Sequence, residues 1–272
     1  MPGSLTHLHD GGPWAGTVPV AGVALLAAVY LLLARRAGYS VRRPRDRWRV
    51  AAFLTGCALL ALALLPPIAS SAHHDFRGHM LQHLLIGMYA PLALVLGAPI
   101  TTLLRALPAR RARRLTAVLR SRALEPLTHP ITALCLTAGG LAVLYMTPLY
   151  DAATGRPIAH WLLDVHFLLS GCLFAWIIAG PDPAPHRPSV PYRLVVLGVA
   201  IAAHAVIAQL MYGGFLVDVH APIAQVRGGA EIMYYGGDVA ELLLAAALVA
   251  TWRPVRRAAP ARPRPQPAAG GS

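Results

Sequence analysis

Seven apolar runs separated by short polar segments set the pattern of this chain, over residues 17–34, 50–70, 79–98, 131–147, 160–180, 194–214 and 230–251. A helix needs roughly 20 apolar residues to cross a hydrocarbon core, so each run is a candidate transmembrane helix. The fourth is the shortest, and Pro148 sets its end. Pro66-Pro67 near the end of the second run and Pro91 within the third are expected to kink or terminate those helices, because proline lacks the N–H the helix needs. No connecting segment is long enough to fold alone; the longest, 99–130, is a basic, proline-punctuated connector. The pattern predicts an all-α polytopic membrane protein, a bundle of seven transmembrane helices over residues 17–251. An extracytoplasmic segment, 1–16, precedes it, and a disordered basic tail, 252–272, follows.

The arginines give the bundle an expected orientation. Of 24, 21 fall in the alternate segments 35–49, 99–130, 181–193 and the tail, leaving Arg77, Arg156 and Arg227 for the other side. The positive-inside rule then places the N-terminus outside and the C-terminus in the cytoplasm of a bacterial cell membrane. That distribution also explains the net charge of +13 as topology and contact with anionic membrane lipid rather than as a nucleic-acid footprint. Composition agrees: 56% hydrophobic and 13% charged, against about a quarter charged in soluble domains. MPGSLTHLHDGGPWAG carries no basic leader, so the first run reads as a retained helix rather than a signal peptide. Cys57, Cys135 and Cys172 lie far apart inside apolar runs and suggest packing, not a disulfide framework or a thiolate site.

The chemistry lies in the histidines. The stretch HHDFRGHMLQHLL, 73–85, holds four of them with Met80 and Asp75 at the edge of the third run. With the orientation above, His7, His9, His73, His74 and His220 fall outside. His79, His83, His160 and His166 fall in the outer ends of the third and fifth helices, and His204 near the middle of the sixth. Only His129 and His186 belong to the cytoplasmic side. His79 and His83, four apart, share one helix face about 6 Å apart along the axis, with Met80 on part of it. His160 and Asp164 have the same spacing, which suits a carboxylate orienting an imidazole, while His166 points about 120° away. His204 and Met211 nearly align, as do Glu231 and Asp238, with Glu241 one turn deeper than Asp238.

Ionisable groups at membrane depth cost roughly 2.5–3.5 kcal/mol each, so Asp164, Asp238 and Glu241 are expected to face the bundle interior. Imidazole suits copper, zinc, nickel and iron, whereas thioether sulfur selects Cu(I); a His/Met set without cysteine fits copper, as Cu(I) or Cu(II), better than zinc. Bland readings stand beside this. His129 and His186 suit packed or interfacial roles, and Met88 and Met146 suit packing. Tyr89, Tyr145, Trp161, Tyr212, Tyr234 and Tyr235 suit an interfacial aromatic belt. Asp164 and Glu241 suit partners for neighbouring groups.

HMLQHLLIGMYAPLALVLGAP (79–99), HWLLDVHFLLSGCLFAW (160–176) and DVHAPIAQVRGGAEIMYYGGDVAEL (218–242) resemble the CtaG family of bacterial cytochrome c oxidase assembly proteins. The likeness covers most of residues 20–250, and the HMxQH-type start of the third helix is its most specific part. It departs at Ala224-Gln225-Val226-Arg227-Gly228-Gly229, which carries alanine where an aspartate could stand. The resemblance implies a non-enzymatic assembly factor that delivers copper to the catalytic subunit of cytochrome c oxidase. It implies His79, Met80, His83, His160 and His166 as candidate ligands. Asp164, His204, Met211 and Asp238 are candidate supporting groups, and His73, His74 and Asp75 candidate captors of metal at the mouth.

Two other readings compete. Histidines on two helices, such as His83 and His166, could be axial ligands of a heme, although no CxxCH motif is present for covalent attachment. Alternatively Asp164, His204, Asp238 and Glu241 could relay protons or metal through a transporter. Below Glu241 the last helix reads LLLAAALVA, with nothing titratable, which argues against a through-path. An independent enzyme is not expected: no nucleophile elbow, phosphate loop or HExxH motif is present.

Overall fold

The computed structural model describes residues 17–184 and 187–252. The predicted N-terminal segment with His7 and His9, His186, and all of the predicted tail except Trp252 lie outside the described residues. Among those described, the chain is helical throughout, with no strand.

Eleven helices follow in order: α1 Thr17–Arg36, α2 Pro44–Leu64, α3 Ile68–His74, α4 Phe76–Leu96, α5 Pro99–Ala106 and α6 Ala109–Leu119, then α7 Pro130–Met146, α8 Leu149–Thr154, α9 Pro157–Ala179, α10 Val190–Gly213 and α11 Ile223–Thr251. Six of them (α1, α2, α4, α9, α10 and α11) are long and apolar enough to cross a membrane, at 19 to 29 residues of span. The fourth expected span is α7, which is apolar but shorter than those six.

Several boundaries depart from the apolar pattern for physical reasons. The expected run 50–70 is two helices, because Pro66-Pro67, joined by a cis peptide, ends α2 and α3 starts afresh. At its start α2 reaches back to Pro44, since proline fits the first turn of a helix and the arginines that follow are good helix formers. α4 starts at Phe76, where Asp75 caps it: Oδ1 accepts from the backbone N–H of Arg77 at 2.8 Å. α11 begins seven residues before the apolar run, so the glycines at 228 and 229 are helical rather than an approach loop.

Pro91 neither ends nor breaks α4. The turn before it, Leu85–Tyr89, widens to π geometry, with Ala90 N–H returning to Leu85 O. Proline can return no N–H to the carbonyl four residues back, which is Gly87 O. That oxygen meets α9 instead: a Cβ placed on Gly171 would collide with it. The two backbones therefore touch through a Gly171 Cα–H facing Gly87 O, the close approach that small residues permit between membrane helices.

α4 is the hub, packed against α2, α3, α9 and α11, while α10 lies along α11. Apolar clusters fill both halves of the bundle. At the histidine-bearing end one gathers Phe76, Met80, Tyr145, Phe167, Met211 and Met233. At the arginine-rich end another gathers Phe174, Ile178, Leu197, Leu244 and Leu248. The outward faces are also apolar, with Leu25, Leu162, Val195 and Leu242 exposed, a surface suited to lipid rather than water.

Candidate functional site

The first group of predicted residues converges where α3, α4, α7, α8 and α9 meet. His79 on α4 and His160 at the start of α9 are both buried, with ring centroids 6.0 Å apart. His73, at the end of α3, brings its ring within 5.2 Å of that of His160. Asp164, one turn along α9, lies 3.9 Å from His160 Nε2, too far for a hydrogen bond. Desolvation, and then the neighbouring His160 and His74 imidazoles, lowers the pKa of His73 and so favours its neutral form.

Tyr145 on α7 organises this group. Its hydroxyl lies 3.1 Å from His79 Nε2 and 3.9 Å from Met80 Sδ. One assignment satisfies all three groups: Nε2–H donates to the tyrosine oxygen, and the hydroxyl donates to the sulfur. His79 Nδ1 then holds a lone pair, and it is buried with no hydrogen-bond partner among the described residues; so too is His160 Nε2. Two imidazole nitrogens on different helices are thus left without protein partners, in a place where an unsatisfied polar atom is costly. A hydrogen bond that orients a ligating imidazole through its other nitrogen is the usual support of a metal site.

His83 belongs to a second, deeper group. Its ring stands edge-on to Phe167 at 4.4 Å and lines a cavity of about 80 Å³ that His204 and Glu241 also line. His204 Nδ1 lies 3.7 Å from Glu241 Oε1, and both His204 Nε2 and Glu241 Oε2 are buried without hydrogen-bond partners. The His204 ring packs against Gly237, where any Cβ would overlap it.

The remaining predicted residues lie elsewhere. His166 turns toward α7, where its Nε2 donates to Leu136 O at 3.1 Å inside a second π segment, Cys135–Gly139. Met211 is fully buried in the apolar cluster that holds Met80 and Met233. Asp238 is half-buried on α11. Asp75 is occupied as the cap of α4 and by the Arg77 guanidinium at 2.6 Å, a hydrogen-bonded pairing that lowers its pKa. His74 is exposed at the end of α3. His129, expected to be structural, caps α7 by accepting the Ile131 N–H on Nδ1 at 3.3 Å.

Sequence reasoning missed one participant. Tyr145, expected in an interfacial belt, is fully buried; its position in an apolar run next to a polar cluster was the available signal. Glu241, expected to face the bundle interior, lines the deeper cavity with His204. A third group, Asp151, Asp218 and His220, brings one ligand atom from each residue within 4.8 Å at the same end of the bundle. His220 is exposed and the two acids are half-buried, and the imidazole–carboxylate pairing within the group accounts for the geometry.

Fold and site together define a polytopic helical membrane protein with a buried, tyrosine-supported histidine cluster at one end. Within that class the chain belongs to the cytochrome c oxidase caa3 assembly factor family, CtaG, whose family model matches residues 28–254. It is 32% identical over 249 residues to an uncharacterised protein of Mycobacterium bovis and equally so to one of Mycobacterium tuberculosis. It is 30% identical over 248 residues to one of Mycobacterium leprae. Each match covers 83% of this chain, and the chain spans 38% of the length of each relative. No solved structure matches.

Proposed function

We propose that this protein is a cytochrome c oxidase assembly factor that takes up copper at the His79–His160 cluster and passes it to the oxidase catalytic subunit. The carrying observation is the pair of buried, unpartnered imidazole nitrogens, His79 Nδ1 and His160 Nε2, beside His73 and Met80. Imidazole and thioether donors without thiolate favour copper as cargo. Asp164 lies beside His160 at the rim of the cluster, and His73 takes the ion first, from the outer face. The membership of the chain in an assembly-factor family supports the oxidase as partner and a non-catalytic role.

In this reading α7 crosses the membrane as a seventh span. Its residues rise roughly 25 Å, short of a core about 30 Å thick, which local thinning of the bilayer accommodates. The N-terminus lies outside, so that the histidine cluster faces the oxidising side of the cell membrane. The deeper His83–His204–Glu241 cavity, at about 80 Å³, has room for a few water molecules but not for a macrocycle, which disfavours the heme reading. The apolar cluster beyond it leaves a transporter without a continuous polar path.

Metal analysis and X-ray absorption on purified protein test the proposal. About one copper per chain is expected, held by nitrogen donors. Tyr145→Phe should weaken binding about 10- to 100-fold by freeing the His79 ring. His166→Ala should leave binding unchanged. Metal-free wild-type protein, or full copper content in a His79→Ala/His160→Ala double variant, would sink the reading.

A further inference from the structure

At the opposite end of the bundle lies a cleft of about 1210 Å³, between the start of α2, residues 181–184 and 187–189, the start of α10 and the last turn of α11. Arg49, Arg187 and Arg193 line it, with Trp48 and Trp252 among the residues around it. Arg49 and Arg193 are each only 6% exposed, which is rare for arginine without a compensating anion.

The bonds these side chains make leave most of their capacity unused. Arg193 donates through one terminal nitrogen to Ile178 O, and Arg187 through one to Gly180 O and Asp182 O. Arg49 donates to the Tyr39 hydroxyl at 3.2 Å. Each guanidinium carries five N–H donors, and the Nε atoms of Arg187 and Arg193 are buried with no partner among the described residues. Capping the carbonyls at the end of α9 therefore explains where the two side chains sit but not their remaining donors or their charge. Nor does the local carboxylate balance them all. Among the described residues lining the cleft Asp182 is the one acid, hydrogen-bonded by Ile100 N–H at 3.0 Å and Thr101 N–H at 2.8 Å, and its single charge stands against the arginines Arg45, Arg49, Arg187 and Arg193. The cleft keeps a surplus of positive charge and of donors in the forked geometry that matches phosphate oxygens.

We propose that this cleft is a binding site for a phosphate-bearing anion, held by Arg49, Arg187 and Arg193. Basic pockets at the ends of membrane helices accept lipid headgroups, and the half-exposed indoles of Trp48 and Trp252, at 64% and 55% exposure, suit headgroup depth. The same donors would accept a free phosphate. The site stands independently of the copper reading, since it shares no residue with the histidine cluster.

Native mass spectrometry of the full chain in detergent separates the outcomes, with phosphatidylglycerol, phosphatidylcholine or inorganic phosphate added. Retention of one phosphatidylglycerol in preference to phosphatidylcholine, unaffected by millimolar phosphate, assigns a lipid headgroup. Displacement of that lipid by phosphate, or direct phosphate binding, assigns the free anion. In either case Arg187→Gln and, on a different element, Arg49→Gln should each weaken retention about five-fold at low salt, and by less at high salt, where the charges are screened. Arg187→Lys, which keeps the charge but not the fork, should retain more than Arg187→Gln and less than wild type. Equal retention of both lipids with no phosphate bound, or undiminished retention in Arg187→Gln and Arg49→Gln proteins that melt like wild type, would overturn the proposal.

Discussion

His220 donates through Nδ1 to Asp151 Oδ2 at 2.6 Å and so clasps the segment before α11 to α8. The hydrogen bond to Asp151 and its charge, helped by Asp218, raise the His220 pKa above its ordinary value. The charged imidazole therefore favours the folded state. Its contribution is complete below the unfolded pKa near 6.5 and is lost as pH rises through the higher folded value. NMR titration should place His220 above 6.5, and Asp151→Asn should bring it back. A normal His220 titration in the wild-type protein would contradict the pairing. The same scale separates His79 from His166. Both are histidines in the N-terminal half of a long helix, but His79 keeps a nitrogen with no partner among the described residues whereas His166 gives its Nε2 proton to a π-segment carbonyl.

Among the elements, α4 carries most of the design. Its histidines sit one turn apart, yet His79 faces the Tyr145 cluster and His83 the inner cavity. The π turn and Pro91 follow directly, and they aim Gly87 O at Gly171 of α9. Because the colliding atom would be backbone, it cannot rotate aside. Gly171→Ala should cost about 1–3 kcal/mol of stability, the range for overpacking, and lower the melting temperature. Gly198, where a Cβ meets nothing within 4 Å, is the control: Gly198→Ala should melt like wild type. Equal melting of the two variants would mean that the α4–α9 approach is looser than described. Periodicity alone could place both histidines on one face of α4. It could not say that the neighbours of that face change within a single turn.

For the whole molecule, the two ends differ in chemistry. Histidines gather at one and arginines at the other, with an apolar cluster filling the bundle next to the arginine-rich end. The proposed orientation predicts that a cysteine placed at Thr154, exposed on α8, reacts with an impermeant maleimide in intact cells. A cysteine at Arg113, exposed on α6, should react only after permeabilisation, with Cys57, Cys135 and Cys172 replaced in both proteins. The reverse pattern would invert the bundle and place the histidine cluster in the cytoplasm.

The sequence by itself determined where the long helices lie and which residues bring chemistry into the bundle. Hydrophobic length and the positions of ionisable groups are local quantities, so 79–98 and 160–180 could be read directly as spans, and His79 and His160 singled out within them. Only the tertiary structure decided which of these groups meet. Rotation about each helix axis and the depth at which helices cross depend on packing between residues far apart in the chain. Gly87 against Gly171 and Tyr145 against His79 are separated by 84 and 66 positions. That packing put Tyr145 between His79 and Met80, paired His204 with Glu241, and turned His166 toward Leu136.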